Sequence, residues 1–241
     1  VNISPNNVPN PPAGRHAVAV GAKASALKQD SIAIGTNSTA NWTNTISIGK
    51  DTVANQDHAL AIATEAKASG VQSIAIGSYS NASADSVVSI GQNSSAGGAA
   101  GANGKGPGTA AVAVGYLANA SAANTVAAGK SATATVDNAV ALGVSSSATN
   151  RNAAALGAYS KAAGDRATAV GAASNAEGAA SFAGGTSAKA IGDNSIAIGG
   201  ATDKDDDDLN TTGKQTPAHA AKANGRKSIA IGFNATATAN A

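Results

Sequence analysis

A chain of 241 residues with no cysteine, no methionine and only 2% aromatic residues can hold neither a disulfide framework nor a thick aromatic core. Its formal net charge of +2, with no basic cluster interleaved with aromatics, argues against a nucleic-acid binder. No signal peptide is legible and no apolar run is long enough to span a bilayer, so the chain reads as a middle piece of a longer protein.

In chain order, residues 1–13 come first as an extended lead-in rich in Pro and Asn, with Pro5, Pro9, Pro11 and Pro12. From residue 14 onward a glycine recurs every fourteen residues: Gly21, Gly35, Gly49, Gly77 and Gly91, with Ala63 standing in once. A second block runs Gly115, Gly129, Gly143, Gly157, Gly171, Gly185 and Gly199, and Gly232 closes the series. The longer steps from Gly91 to Gly115 and from Gly199 to Gly232 mark insertions at about 97–109 and 200–218. The register makes residues 14–241 a single solenoid of stacked repeats with two loops, both expected to leave it between coils.

The repeat glycine defines position zero. Positions minus three and minus one are mostly Ile, Val or Leu, as in Ile74 and Ile76, and this period of two is a strand signal. The expectation is that this pair faces the core. Position minus two is small in every copy: Ala19, Ala33, Ser47, Ala61, Ala75, Ser89, Ala113, Ala127, Ala141, Ala155, Ala169, Ala183, Ala197 and Ala230. A strand face held this small points to something packed very close against it, and these residues are expected to form a seam between chains. After the glycine, positions plus three and plus five are small again, as in Ala66 and Ala68, and are expected to oppose the Ile/Val pair. Position plus four, with Ser25, Thr39, Lys67, Lys161 and Lys189 among others, is mixed and polar and faces water. Each repeat is therefore a flattened coil of two short strands and two turns, all-β, pairing in parallel with its neighbours at roughly 4.8 Å, so that fourteen coils give a rod of roughly 65 Å. Covering a small-residue stripe with identical rods is the simplest way to bury it.

Copies such as Ser31-Ile32-Ala33-Ile34-Gly35 and Ser228-Ile229-Ala230-Ile231-Gly232, the small residues at plus three and plus five, and the fourteen-residue spacing resemble the YadA-like head of trimeric autotransporter adhesins. The resemblance covers about residues 14–241. It implies a left-handed parallel β-roll, three chains packed into a homotrimer, and an outer-membrane protein of a Gram-negative bacterium whose head projects outward at the cell surface. The C-terminal barrel that would anchor it is absent from this sequence. It also implies attachment to host cells or extracellular matrix, with collagen-type ligands the leading partners. The collagen-binding heads carry Asn-Ser-Val-Ala-Ile-Gly repeats, and the nearest match here is Asn194, Ser195, Ile196, Ala197, Ile198 and Gly199.

Trp42, Tyr79, Tyr116 and Tyr159 fall in or near turns and are candidate binding anchors. The run Asp203, Lys204 and Asp205 to Asp208 in the second insertion has carboxylates that could bind a divalent cation, but its spacing is not that of an EF-hand loop, and it reads first as a solvated loop. His16, His58 and His219 are too far apart in sequence for a metal motif, and no cofactor is indicated. No nucleophile-base order or phosphate loop is present, and a fourteen-residue coil has little room for a pocket, so the chain reads as a non-enzyme. The reading is an adhesin head; the alternative is a structural spacer that projects another binding domain.

Overall fold

The computed structural model describes residues 2–3 (backbone), 15–98, 109–200 and 219–238. The lead-in beyond residue 3, most of the first insertion and the acidic run of the second lie outside the described residues. Contacts divide the chain into two compact units, Val1–Ser131 and Ala132–Ala241.

Both units are parallel β-solenoids. Every coil contributes a three-residue strand to one sheet and a two-residue strand to the other. In the first unit, Ile32–Ile34 pairs in register with Ile46–Ile48, and Thr39–Ala40 with Val53–Ala54. In the second, Val140–Leu142 pairs with Ala154–Leu156, and Ser147–Ala148 with Lys161–Ala162. Residues Asn2–Ile3 add a strand beside Val18–Val20, so the backbone hydrogen bonds of the first coil have a partner. Neither insertion shifts the ladder: Val88–Ile90 still pairs with Val112–Val114, and Ile196–Ile198 with Ile229–Ile231.

The faces of the coil are the reverse of the sequence expectation. Positions minus four and minus two point inward from the longer strand, and plus three and plus five from the shorter one. Ser73, Ala75, Ala66 and Ala68 are all completely enclosed. The core is thus a layer of Ala, Ser and Thr, and its largest enclosed side chain is Val87. The Ile/Val pair at minus three and minus one faces outward, half-buried or exposed along the sheet.

Enclosing hydroxyls is costly unless each finds a partner, and at many of these positions the turns supply one. At minus four, Ser73 Oγ donates to the Gly70 carbonyl at 2.7 Å and Thr45 Oγ1 to that of Trp42 at 2.6 Å. At plus three, Ser94 Oγ donates to Gly91 at 2.8 Å and Ser160 Oγ to Gly157 at 2.8 Å. These four hydroxyls tie their strands to a carbonyl three residues earlier, whereas Ser38 Oγ donates across the core to the Ser47 carbonyl at 2.7 Å, and Ser80, Ser181 and Ser195 Oγ are enclosed without a partner.

Both turns place their third residue in the left-handed region, as in type II turns. Examples are Asn37 (φ 55°) and Asn44 (φ 56°). The zero position is more demanding. Gly157 has φ +135°, and a Cβ there would sit 2.6 Å from the Gly171 carbonyl oxygen of the next coil. Glycine is needed both for the dihedral and for the approach of stacked backbones. Ala63 occupies the same position at φ +93°, where an L side chain is strained.

Ala63→Gly is therefore expected to stabilise the fold by about 1 kcal/mol, and Gly157→Ala to destabilise it by about 2 kcal/mol. Thermal unfolding of the two variants checks both signs.

Candidate assembly and binding surfaces

The small residues expected at a seam between chains are enclosed by their own chain. Ala19, Ala33, Ser47, Ala61, Ala75, Ser89, Ala113, Ala127, Ala141, Ala155, Ala169, Ala183, Ala197 and Ala230 are at most 3% exposed within the single chain. The close neighbour that keeps position minus two small is the opposite sheet of the same coil. That assignment is corrected: these side chains cannot reach a second chain.

The apolar surface lies on the alternate positions of the same strands. Ile34, Ile90 and Val114 in the first unit are 37–38% exposed, and Leu142, Val170 and Ile198 in the second 37–40%. With the minus-three residues beside them, they give the longer-strand sheet of each unit a band of mostly branched aliphatic side chains, interrupted in the second unit where Phe182 and Gly184 take these places. Monomeric soluble proteins rarely leave such a band uncovered. The sequence signal was present, since the Ile/Val preference is as regular as the Ala/Ser preference. Assigning bulky residues to the interior put it on the wrong face.

Within the segment that resembles collagen-binding repeats, Ser195 and Ala197 are buried, whereas Asn194, Ile196 and Ile198 reach the surface. Asn194 sits in a turn at φ 56°, and Gly199 follows the strand at φ +141°. Ile196 and Ile198 belong to the same aliphatic band as their counterparts in neighbouring coils, so the fold does not set this segment apart.

Trp42, Tyr79, Tyr116 and Tyr159 are all exposed, Tyr159 most at 65%. Tyr79 and Tyr159 are the third residues of turns, at φ 61° and 58°. Tyr116 directly follows a repeat glycine, and Trp42 lies in the turn on the other edge of its coil. Tyr79 and Tyr116 share one edge of the first unit two coils apart, roughly 10 Å by strand spacing. The structure does not bring Trp42 to them.

The second insertion differs from its expected position. It opens within a coil, between the long strand Ile196–Ile198 and the short strand Lys222–Ala223, whereas a site between coils was expected. The turn bond survives it: the Ala221 amide donates to the Gly199 carbonyl at 3.1 Å, as the Ala24 amide does to Gly21 at 3.2 Å. Ala221 and Ala223 take the plus-three and plus-five places, both enclosed. Lys222 then becomes an outward plus-four residue, which the interrupted period concealed.

Among the described residues, no three His, Asp or Glu side chains converge into a group that could hold a metal ion. A thin parallel solenoid with an aliphatic band on one sheet and a mostly polar opposite sheet defines a repetitive head that presents extended surfaces. The family described as YadA head domain repeat (2 copies) matches residues 13–38, 43–62, 68–94, 107–132, 120–146, 134–160, 148–174, 162–188, 176–202 and 220–241. The chain belongs to the YadA head family. Heads of this family are generally homotrimeric parts of adhesins. No curated protein matches the chain.

Two neighbouring substitutions separate the faces. Ala141→Asp places a charge in the enclosed layer and is expected to cost the fold about 3–5 kcal/mol. Leu142→Asp, on the aliphatic band, is expected to leave the circular dichroism of the coil intact and abolish self-association. Light scattering and thermal melts of the two variants read this out; a folded, self-associating Ala141→Asp protein contradicts the face assignment.

Proposed function

We propose that this chain is the non-catalytic head of a trimeric autotransporter adhesin, displayed at the outer surface of a Gram-negative bacterium, where it attaches the cell to host cells or extracellular matrix. The aliphatic band carries the reading. A chain whose own core is built from Ala, Ser and Thr has placed most of its branched aliphatic side chains on one sheet, and membership of a generally homotrimeric family supplies the occupant: two further copies of the same sheet. Burying Ile34, Leu142, Ile198 and their counterparts would then provide the thick hydrophobic core that a single coil lacks.

Three packed heads turn the shorter-strand sheets and the turns toward solvent in triplicate. Attachment would rest on multivalency, since equivalent weak contacts on one rigid body raise avidity without any single tight site. The exposed tyrosines and Trp42 offer aromatic anchors on the turns, and collagen-type ligands are the first class to test.

The purified head is expected to elute as a trimer by light scattering and to bind immobilised collagen, laminin or fibronectin saturably. A folded trimer that binds none of the three would sink the matrix-attachment reading and favour a spacer that projects another domain.

A further inference from the structure

The shorter-strand sheet of the second unit carries a lysine ladder. Position plus four reads Lys161, Asn175, Lys189 and Lys222 on four successive strands paired in register. Lys189 and Lys222 are immediate neighbours, so their side chains leave the sheet roughly 4.8 Å apart. Like charges facing each other across paired strands repel. Among the described residues none of the three lysines makes an ion pair; the pairs present are His16–Asp30, Lys50–Asp51 and Arg166–Asp165.

The ladder borders a groove of about 320 Å³ lined by Ala173, Asn175, Ser187, Lys189 and Lys222. It is open because the plus-two turn residues here are small. The same turn position carries Lys23, Glu65, Tyr79 or Tyr159 in other coils, whereas Ala173 and Ser187 leave space above the strand. Asn175 adds an unused acceptor. Its Nδ2 donates to Glu177 Oε1 at 2.8 Å, while its Oδ1 is buried without a partner. A buried acceptor left unpaired is unfavourable and is relieved by a ligand that donates.

We propose that this groove is a binding site for a sulfated oligosaccharide. Sulfate oxygens would accept charge-assisted hydrogen bonds from Lys189 and Lys222 and relieve their mutual repulsion. Sugar hydroxyls would meet the Ser187 hydroxyl as donor or acceptor, and the half-buried Asn175 amide once its side chain turns toward the groove. A sulfated sugar offers anions and hydroxyl donors together. A nucleic-acid strand fits less well, because among the described residues no aromatic side chain lines the groove to stack a base. The proposal deepens the adhesin reading by naming a ligand class, and rests on that reading only for the host origin of the sugar.

The test is calorimetric titration of the full chain with a heparin-derived hexasaccharide, its desulfated form and a single-stranded oligonucleotide of equal charge, at low and physiological salt. The sulfated sugar is expected to bind and the desulfated one not. The double variant Lys189→Gln/Lys222→Gln is expected to bind about tenfold more weakly or worse, with an unchanged melting profile. Lys67→Gln, an isolated plus-four lysine of the first unit, serves as the control and should bind like the parent. No binding by the parent, equal binding by the double variant, or equally tight lysine-dependent binding of the oligonucleotide each overturns the proposal. A head that binds the sulfated sugar but no matrix protein supports this site and counts against matrix-protein attachment. Matrix binding without sugar binding overturns this site and leaves the adhesin reading standing.

Discussion

The narrow interior of the fourteen-residue coil governs the rest of the molecule. Two strands, joined by turns that reverse the chain at once, face each other so closely that the enclosed layer is almost entirely Ala, Ser and Thr, with Val87 its largest member. So thin a layer removes little apolar area from water, and hydrophobic burial scales with that area. Stability in each unit must therefore come from backbone ladders along the stack, from hydroxyls such as Ser73 and Ser160 that satisfy turn carbonyls, and from whatever covers the aliphatic band outside.

The same constraint explains the tolerance of the fold for insertions. Each coil is held by its neighbours through in-register pairing, so a loop need only return the chain to the next free ladder position. Closing a longer loop costs little additional entropy. The Ala221 amide resumes the turn bond to Gly199 as though nothing intervened, and Lys189 finds Lys222 as its neighbour despite their separation in sequence. Extra sequence is thereby added at turn edges while both sheets continue unbroken on either side of it.

The two sheets divide the work. The longer strands present branched aliphatics whose regularity suits self-association, and any change of one such residue would be repeated around a symmetric assembly. The shorter strands present the polar, variable plus-four positions, where Lys161, Asn175 and Lys189 differ from Ser25, Thr39 and Val53 without disturbing the Ala at plus five. The side chains of one sheet can therefore vary coil by coil while the enclosed layer keeps its small residues.

Periodicity was enough to establish the strands, their parallel stacking and the turn at each repeat glycine, and the family came from the resemblance of the Ser-Ile-Ala-Ile-Gly copies. The strands and turns follow from local backbone geometry, as Gly157 and the Ile74/Ile76 pair show, and the stacking follows from its repetition at fixed spacing. Which face of the longer strand turns inward was not legible, because alternation in a strand says only that two faces differ. Both Ile76 and Ala75 are apolar, and the usual preference for bulky interiors pointed the wrong way. Tertiary structure decided it: with the opposite sheet only one thin layer away, Ala75 fits inside and Ile76 does not. The lysine ladder was hidden for a related reason, since adjacency of Lys189 and Lys222 is a property of stacked coils and an intervening loop erases it from the linear chain.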